Sequence, residues 1–98
     1  MAACTSALVL SAERIPKKDR LLKVTLELGV AQRTVVAGIA ETIAPEALVG
    51  RTVLYLANLK PAKIGGIVSS GMILAVGDEK ILGLLTGDRE LPPGTPIR

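Results

Sequence analysis

The chain has 98 residues and a formal net charge of +3, with no histidine and one cysteine. A chain of this length forms one domain, because half of it would be too small to hold a hydrophobic core. The commonest general base and the usual zinc ligands are missing, so the composition argues against an enzyme, a metal site or a cofactor.

Three further features concern the cellular compartment. The longest uncharged run, residues 64–77, is shorter than the about 20 apolar residues that a membrane-spanning helix needs. The start "MAACTSALVL" lacks the cationic segment of a secretory signal. Cys4 has no second cysteine with which to form an intrachain disulfide. We therefore expect a cytoplasmic protein with no membrane contact.

The first half of the chain predicts three strands. These are "ALVLSAER" (7–14), "KVTLELGV" (23–30) and "RTVVAGIA" (33–40), the last of which ends at Gly38. They are rich in β-branched or alternating apolar residues. The segment "RIPKKDR" (14–20) contains a proline that cannot stand in a central strand, so it predicts the turn between the first two.

The second half predicts one short helix and three more strands. Pro45 and Gly50 bracket "APEALVG" as a helix start and stop. The strands are "RTVLYLAN", "GMILAV" and "KILGLL", with "GDEK" as the hairpin turn between the last two, followed by the Pro-rich "ELPPGTPIR". This pattern predicts an all-β fold, best matched by an oligonucleotide/oligosaccharide-binding (OB) barrel of five strands with one short helix and an extra C-terminal segment. We expect a single domain over residues 1–98.

Positive charge is concentrated in two segments. Residues 14–23 hold five cations and one acid, and residues 51–63 hold three cations and no acid, so together they carry +7 while the rest of the chain carries −4. If the two segments meet in space, they form a cationic face on a mildly acidic body. If they do not, they are two solvated loops.

The segment "NLKPAKIGGIVSSGM" (58–72) precedes an apolar run and is predicted to be an exposed loop. Its lysines attract phosphates, and an amide or hydroxyl can donate to phosphate or ribose oxygens. It lacks both the spacing of a Ser/Lys nucleophile and a phosphate-binding glycine motif. The one aromatic residue, Tyr55, lies inside a predicted strand, so no base-stacking platform is available. The loop therefore favours RNA binding by charge, hydrogen bonds and shape.

Five motifs occur in a fixed order: "VAGIA", "PEALVG", "NLKPAK", "SSGM" and "PPGT". In these motifs the chain resembles the tRNA-binding domain of bacterial methionyl-tRNA synthetases and of stand-alone structure-specific tRNA-binding proteins. The resemblance extends from about Leu8 to Arg98. It implies an OB fold, a homodimer, and binding of folded tRNA without regard to its sequence.

The resemblance also assigns residues. It implies that Asn58, Lys60, Lys63 and Ser69 contact tRNA. It implies that Pro61, Gly66 and Gly71 set the backbone of the loop and that Met72 packs against the domain. The basic residues of the predicted first turn, Arg14, Lys17, Lys18 and Arg20, form a secondary basic patch.

The chain departs from the family pattern where many relatives carry a cation. Ala62 stands in place of an arginine, and Thr5 and Leu8 stand in place of an arginine and a lysine in the first strand. Each departure removes a positive charge, which predicts weak tRNA binding.

Two functional classes remain open. The first is a tRNA-binding module, either a C-terminal domain or a separate subunit of methionyl-tRNA synthetase, that raises the affinity of the catalytic domain for tRNA. The second is a protein–protein dimerisation or docking module with little RNA binding.

Dimerisation is also predicted from apolar surplus. In the first strand Ala7 and Val9 point to one face while Leu8 and Leu10 point to the other, and "KILGLL" is apolar at positions 81, 82, 84 and 85. So small a domain cannot bury both surpluses, and a twofold pairing would cover them. The alternative is that the Pro-rich tail covers the same patch.

Overall fold

The computed structural model describes residues 4–57 and 60–98. The fold is all-β with one short helix, as the sequence predicts. The strands are β1 (Cys4–Ile15), β2 (Lys18–Glu27), β3 (Gln32–Ala37), β4 (Thr52–Leu56), β5 (Ala62–Ile64), β6 (Ile67–Ser69), β7 (Met72–Ile73), β8 (Ala75–Gly77) and β9 (Ile81–Leu84), and the helix is α1 (Pro45–Leu48).

Five of these strands form one antiparallel sheet in the order β3-β2-β1-β4-β7. The small pairs β5-β6 and β8-β9 are separate two-stranded sheets. Strand pairing does not close the sheet into a complete barrel in the described part of the chain. Instead, the backbone N–H of Ser70 donates to the carbonyl of Thr34 at 2.8 Å, which joins the two edges of the sheet. We call this junction the seam.

The core lies inside the curled sheet and is closed at one end by α1. It contains alternate residues of the long strands, with Ala7 and Val9 from β1 and Leu22, Val24 and Leu26 from β2, as period-two alternation requires. Leu48 of α1 is fully buried and packs into the same cluster. The inward and outward faces of β1 are therefore those predicted, with Leu10 exposed at an irregularity in the β1–β2 register.

Most predicted elements are confirmed, but their bounds differ. The first turn is shorter than "RIPKKDR", because β1 continues to Ile15 and β2 begins at Lys18. The run "GMILAV" is not one strand: β7 pairs with β4, and after Leu74 the chain changes partner so that β8 pairs with β9. The predicted turn between Gly77 and Ile81 is confirmed.

The predicted loop at 58–72 contains a hairpin that the sequence reading missed. Strands β5 and β6 pair through Ala62 with Ser69 and Ile64 with Ile67, and the turn at Gly65–Gly66 has positive φ at both residues. Such a turn favours glycine, since both positions are left-handed. The segment is therefore a defined structure that can position side chains.

The Pro-rich C-terminal segment returns to the start of the chain. Ser6 donates its backbone N–H to Thr95 at 2.9 Å and accepts from Gly94 at 2.8 Å, and Ile97 donates to Cys4 at 3.0 Å. The hydroxyl of Ser6 also donates to the carbonyl of Pro92. This segment is the extra C-terminal element that the sequence predicts.

Candidate nucleic-acid interface

The β5–β6 hairpin folds back over the tip of the β1–β2 hairpin. A Cβ placed on Gly65 would lie 3.0 Å from Cδ1 of Leu21, 3.7 Å from Cγ of Lys18 and 3.9 Å from Cδ1 of Ile15. Ile67 borders the same region of β1 and β2. The cation-rich β1–β2 tip and the hairpin that carries Lys63 are thus neighbours, which makes one cationic surface of the two.

We name this surface the cationic ridge. Its members are the exposed residues Arg14, Lys17, Lys18, Lys60 and Lys63. None of the five forms an ion pair with a residue in the ranges 4–57 and 60–98. Their charges are therefore available to an anionic partner.

Two other cations of the same segment are partly neutralised. Arg20 of the predicted secondary patch makes an ion pair with Glu41 at 3.0 Å, and Lys23 lies 3.6 Å from Glu13. Both pairs are exposed to water, where such interactions are weak. Arg20 nevertheless contributes less net charge to the ridge than its three neighbours in the sequence.

Arg51 does not belong with the loop lysines. It precedes β4, whereas Lys60 follows it, and five extended residues span roughly 15 Å. Its Nε donates instead to the carbonyl of Ala47 at 3.0 Å. Proximity in sequence suggested one segment of three charges, but the intervening strand carries Arg51 to the other end of the sheet.

Ser69 has a different role from the one that the sequence predicts. Its side chain is only 1% exposed. Its Oγ accepts from the backbone N–H of Val36 at 2.9 Å and donates to the carbonyl of Gly71 at 3.1 Å. A buried hydroxyl that is used in both directions is not available to RNA. The predicted RNA contact is therefore wrong for Ser69, which shapes the seam instead.

The residues predicted to shape the loop divide in the same way. Gly66 and Gly71 have φ values of +84° and +132°, and a Cβ on Gly71 would lie 2.5 Å from Cε1 of Tyr55. Both therefore require glycine. Pro61 is exposed beside Lys60. Met72 does not pack as predicted, since its side chain is 48% exposed. Asn58 lies outside the described residues.

Tyr55 is confirmed as a strand residue that offers no stacking surface. It is buried, and its hydroxyl donates to the carbonyl of Ser70. Burial raises the pKa of this phenol, while the charge of Arg33 lowers it. Arg33 therefore lies within electrostatic range of Tyr55. The sequence gave no signal for this, because strand pairing across the sheet brings the two together.

Neither a metal site nor a membrane helix is found in the described ranges. Residues 4–57 and 60–98 contain no cluster of three or more side chains that could ligate a metal ion. No helix within those ranges is long and apolar enough to cross a membrane. What the site offers chemically is positive charge held on two adjoining hairpins.

Comparison with known proteins identifies the family. Residues 5–96 match the family described as "Putative tRNA binding domain". The chain belongs to this tRNA-binding domain family. The assignment is one of binding, which agrees with the expectation of a non-catalytic domain.

Curated relatives of this tRNA-binding domain include methionine–tRNA ligases. That of Methanosphaerula palustris is 51% identical over 90 residues, which is 92% of this chain and 13% of the ligase. That of Thermotoga maritima is 48% identical over 91 residues, or 93% of this chain and 14% of the ligase. The chain thus spans about one seventh of the length of these relatives.

Solved structures agree with the family assignment. A protein related to methionyl-tRNA synthetase from Pyrococcus horikoshii superposes with a TM-score of 0.90 at 34% identity, and covers 99% of this chain and 90% of its own. The chaperone CsaA from Bacillus anthracis superposes with a TM-score of 0.88 at 25% identity over the same shares of the two chains. The tRNA-binding domain family therefore accounts for nearly all of the fold described here.

Proposed function

We infer that the domain binds folded tRNA through the cationic ridge and raises the tRNA affinity of a methionyl-tRNA synthetase. The observation that carries this function is the contact between the β1–β2 tip and the β5–β6 hairpin. It places Lys18 and Lys63, which are remote in sequence, on one surface. Phosphate groups of a folded RNA are the natural partner of such a surface, because cations bind them without regard to sequence.

The ridge suits folded rather than single-stranded RNA. Binders of single strands combine a positive groove with aromatic side chains on which bases stack. The only aromatic residue of the chain is Tyr55, whose ring is buried. Rigid RNA brings several phosphates to the ridge at once without ordering a flexible strand, so its shape replaces stacking as the source of affinity.

The synthetase enters through the relatives. A domain that occupies about one seventh of a methionine–tRNA ligase, and that belongs to a tRNA-binding family, is suited to hold the tRNA while a catalytic domain acts on it. The domain does so either as part of the synthetase or as a separate subunit. Linking a weak tRNA site to a catalytic domain raises the overall affinity through effective concentration.

Salt-dependent binding tests this function. Gel shifts with tRNA and with an unstructured poly-pyrimidine strand of equal length are compared at several salt concentrations. We expect tighter binding to tRNA, and a slope of log K against log salt of roughly −3 to −4 if about four phosphates are contacted. A flat salt response, or equal affinity for the unstructured strand, contradicts the proposal.

A second function, dimerisation, is favoured by the apolar surface. Leu10 and Leu82 are 38% and 74% exposed. The Pro-rich tail lies along Cys4 and Ser6 and leaves Leu82 uncovered, which speaks against the tail as the lid. A homodimer would cover these side chains and would present two cationic ridges to one tRNA. A docking module without RNA binding would show the dimer but no gel shift.

A further inference from the structure

A notch opens on the outer face of the β1–β2 hairpin, beside the β5–β6 hairpin. It has a volume of about 220 Å³. Its lining residues are Glu13, Arg14, Ile15, Pro16, Lys23 and Ile67. By comparison, a cavity of about 150 Å³ in another protein accommodates benzene. The notch therefore has room for one heteroaromatic ring system.

The lining combines an apolar wall with a charged rim. Ile15, Pro16 and Ile67 supply the apolar part, with Ile15 almost fully buried. On the rim, Nζ of Lys23 lies 3.6 Å from Oε1 of Glu13, a pair that faces the same side because the two residues are directly opposite in the β1–β2 register. A flat ligand with an apolar face and a polar edge fits this combination.

We propose that the notch holds one unpaired base of the bound RNA and prefers guanine. The proposal rests on the proposed function, since it adds a base contact to a surface that otherwise contacts phosphates. The notch adjoins the cationic ridge through Arg14, which belongs to both. A base in the notch would leave its own phosphates beside the ridge.

The chemistry of the rim selects among the bases. An ionised carboxylate only accepts hydrogen bonds, and it accepts two at once when two donors stand side by side. The Watson–Crick edge of guanine presents two adjacent N–H donors, N1 and N2, next to the O6 acceptor. Glu13 can accept from both donors while the ammonium of Lys23 donates to O6. Adenine, cytosine and uracil each place an acceptor or a C–H group where guanine has its second donor.

The test compares two RNA hairpins with the same stem and one bulged nucleotide, which is guanosine in one and adenosine in the other. Both carry the same phosphates, so the cationic ridge contributes equally to the binding of each. We expect the bulged guanosine to bind about tenfold more tightly, the discrimination typical of one good bidentate contact. Affinities are measured by fluorescence titration at one fixed salt concentration.

A matched pair of variants locates the preference. Glu13→Gln removes the double acceptor while keeping the side-chain shape, and it should reduce the guanosine preference to within about twofold. Glu90→Gln removes the same charge from an exposed residue that does not line the notch, and it should keep the full preference. Amide spectra of the two variants, matching those of the parent chain, establish that both are folded.

The outcomes separate the two proposals. Equal affinity for the two hairpins, with tRNA binding intact, overturns the base site and leaves the tRNA-binding function standing. A guanosine preference that survives Glu13→Gln also overturns the base site as placed here. If neither hairpin nor tRNA binds, the proposed function itself fails and the base site falls with it.

Discussion

The hydroxyl of Ser69 replaces a backbone carbonyl at the seam of the sheet. It accepts the hydrogen bond of the Val36 backbone N–H at 2.9 Å, at the edge of β3 where a further strand would otherwise supply a carbonyl. Two residues earlier on the same edge, Thr34 accepts from the backbone of Ser70. The seam thus alternates between a main-chain bond and a side-chain bond, and Ser69 is necessary for one of them.

Ser69→Ala should lower the free energy of unfolding by about 1–3 kcal/mol, because a buried backbone N–H loses its acceptor. Urea denaturation measures the change. Ser70→Ala is the matched control and should cost less, since the bonds that Ser70 makes at the seam come from its backbone. The tRNA affinity of the folded fraction should not change. A variant that stays fully stable but loses tRNA binding would return Ser69 to the interface.

Gly71→Ala should destabilise the domain severely, by about 3 kcal/mol or more, because a Cβ there would overlap the Tyr55 ring and lie 2.6 Å from the carbonyl of Leu56. Gly66→Ala is the control, since its φ is also positive but nothing lies within 4 Å of a Cβ there. It should cost about 1–2 kcal/mol, the penalty of the backbone conformation alone. Thermal or urea unfolding distinguishes the two, and equal costs would contradict the proposed overlap.

Lys17→Gly should change stability and binding in opposite directions. Lys17 has φ of +66° and is the one non-glycine residue with positive φ in the described ranges. It follows Pro16 in the turn, a sequence typical of a type II turn that favours glycine at this position. The substitution should stabilise the domain by about 0.5–1 kcal/mol while it weakens tRNA binding through the lost charge.

Lys18→Gly is the control for that prediction. It removes the same charge from the adjacent strand residue, where glycine weakens the strand, so here both stability and binding should fall. Urea denaturation and gel shifts on the same preparations measure the two effects. If Lys17→Gly is destabilising, the turn is not strained in the manner inferred.

The alternation of apolar residues was sufficient to predict the long strands and their buried faces, because a period of two depends only on local sequence. Ala7 and Val9 are buried as expected for that reason. The role of Ser69 could not be predicted in the same way. Its two backbone partners, Val36 and Gly71, come into reach only when the sheet curls, and one of them is remote in sequence.

The candidate site shows the same division. Charge counting identified the two cationic segments, but whether they meet depends on the fold-back of the β5–β6 hairpin, which a loop reading of residues 58–72 did not include. The same counting placed Arg51 with Lys60, since no acid separates them in sequence. An extended strand separates them in space, and composition carries no information about that distance.

Lys18→Ala and Lys63→Ala should each reduce the salt slope of tRNA binding by about 0.7–0.9, one phosphate contact apiece. The double variant should lose both increments. Lys80→Ala is the control: it removes an exposed lysine from the acidic turn after β8 and should leave the slope unchanged. If only one of the two ridge variants alters the slope, the two hairpins do not bind the same RNA surface together.

Sedimentation equilibrium at micromolar concentration should give the mass of a dimer. The combined substitution Leu10→Lys and Leu82→Lys should convert it to a monomer, because both side chains are exposed and a buried charge would oppose pairing. Val30→Lys is the control, since Val30 is 97% exposed on the β2–β3 turn. A monomer for the parent chain refutes the dimer, and a dimer that survives the double substitution places the interface elsewhere.

The hydrogen bonds between Ser6 and the segment 94–95 have a consequence for how the domain can be joined to other proteins. They hold the two ends of the described fold side by side, with Ile97 bonded to Cys4. A linker that enters the domain and a linker that leaves it would emerge at the same edge. The unit can therefore be spliced into a surface loop of a larger protein, as well as attached at either end, without pulling the host loop apart.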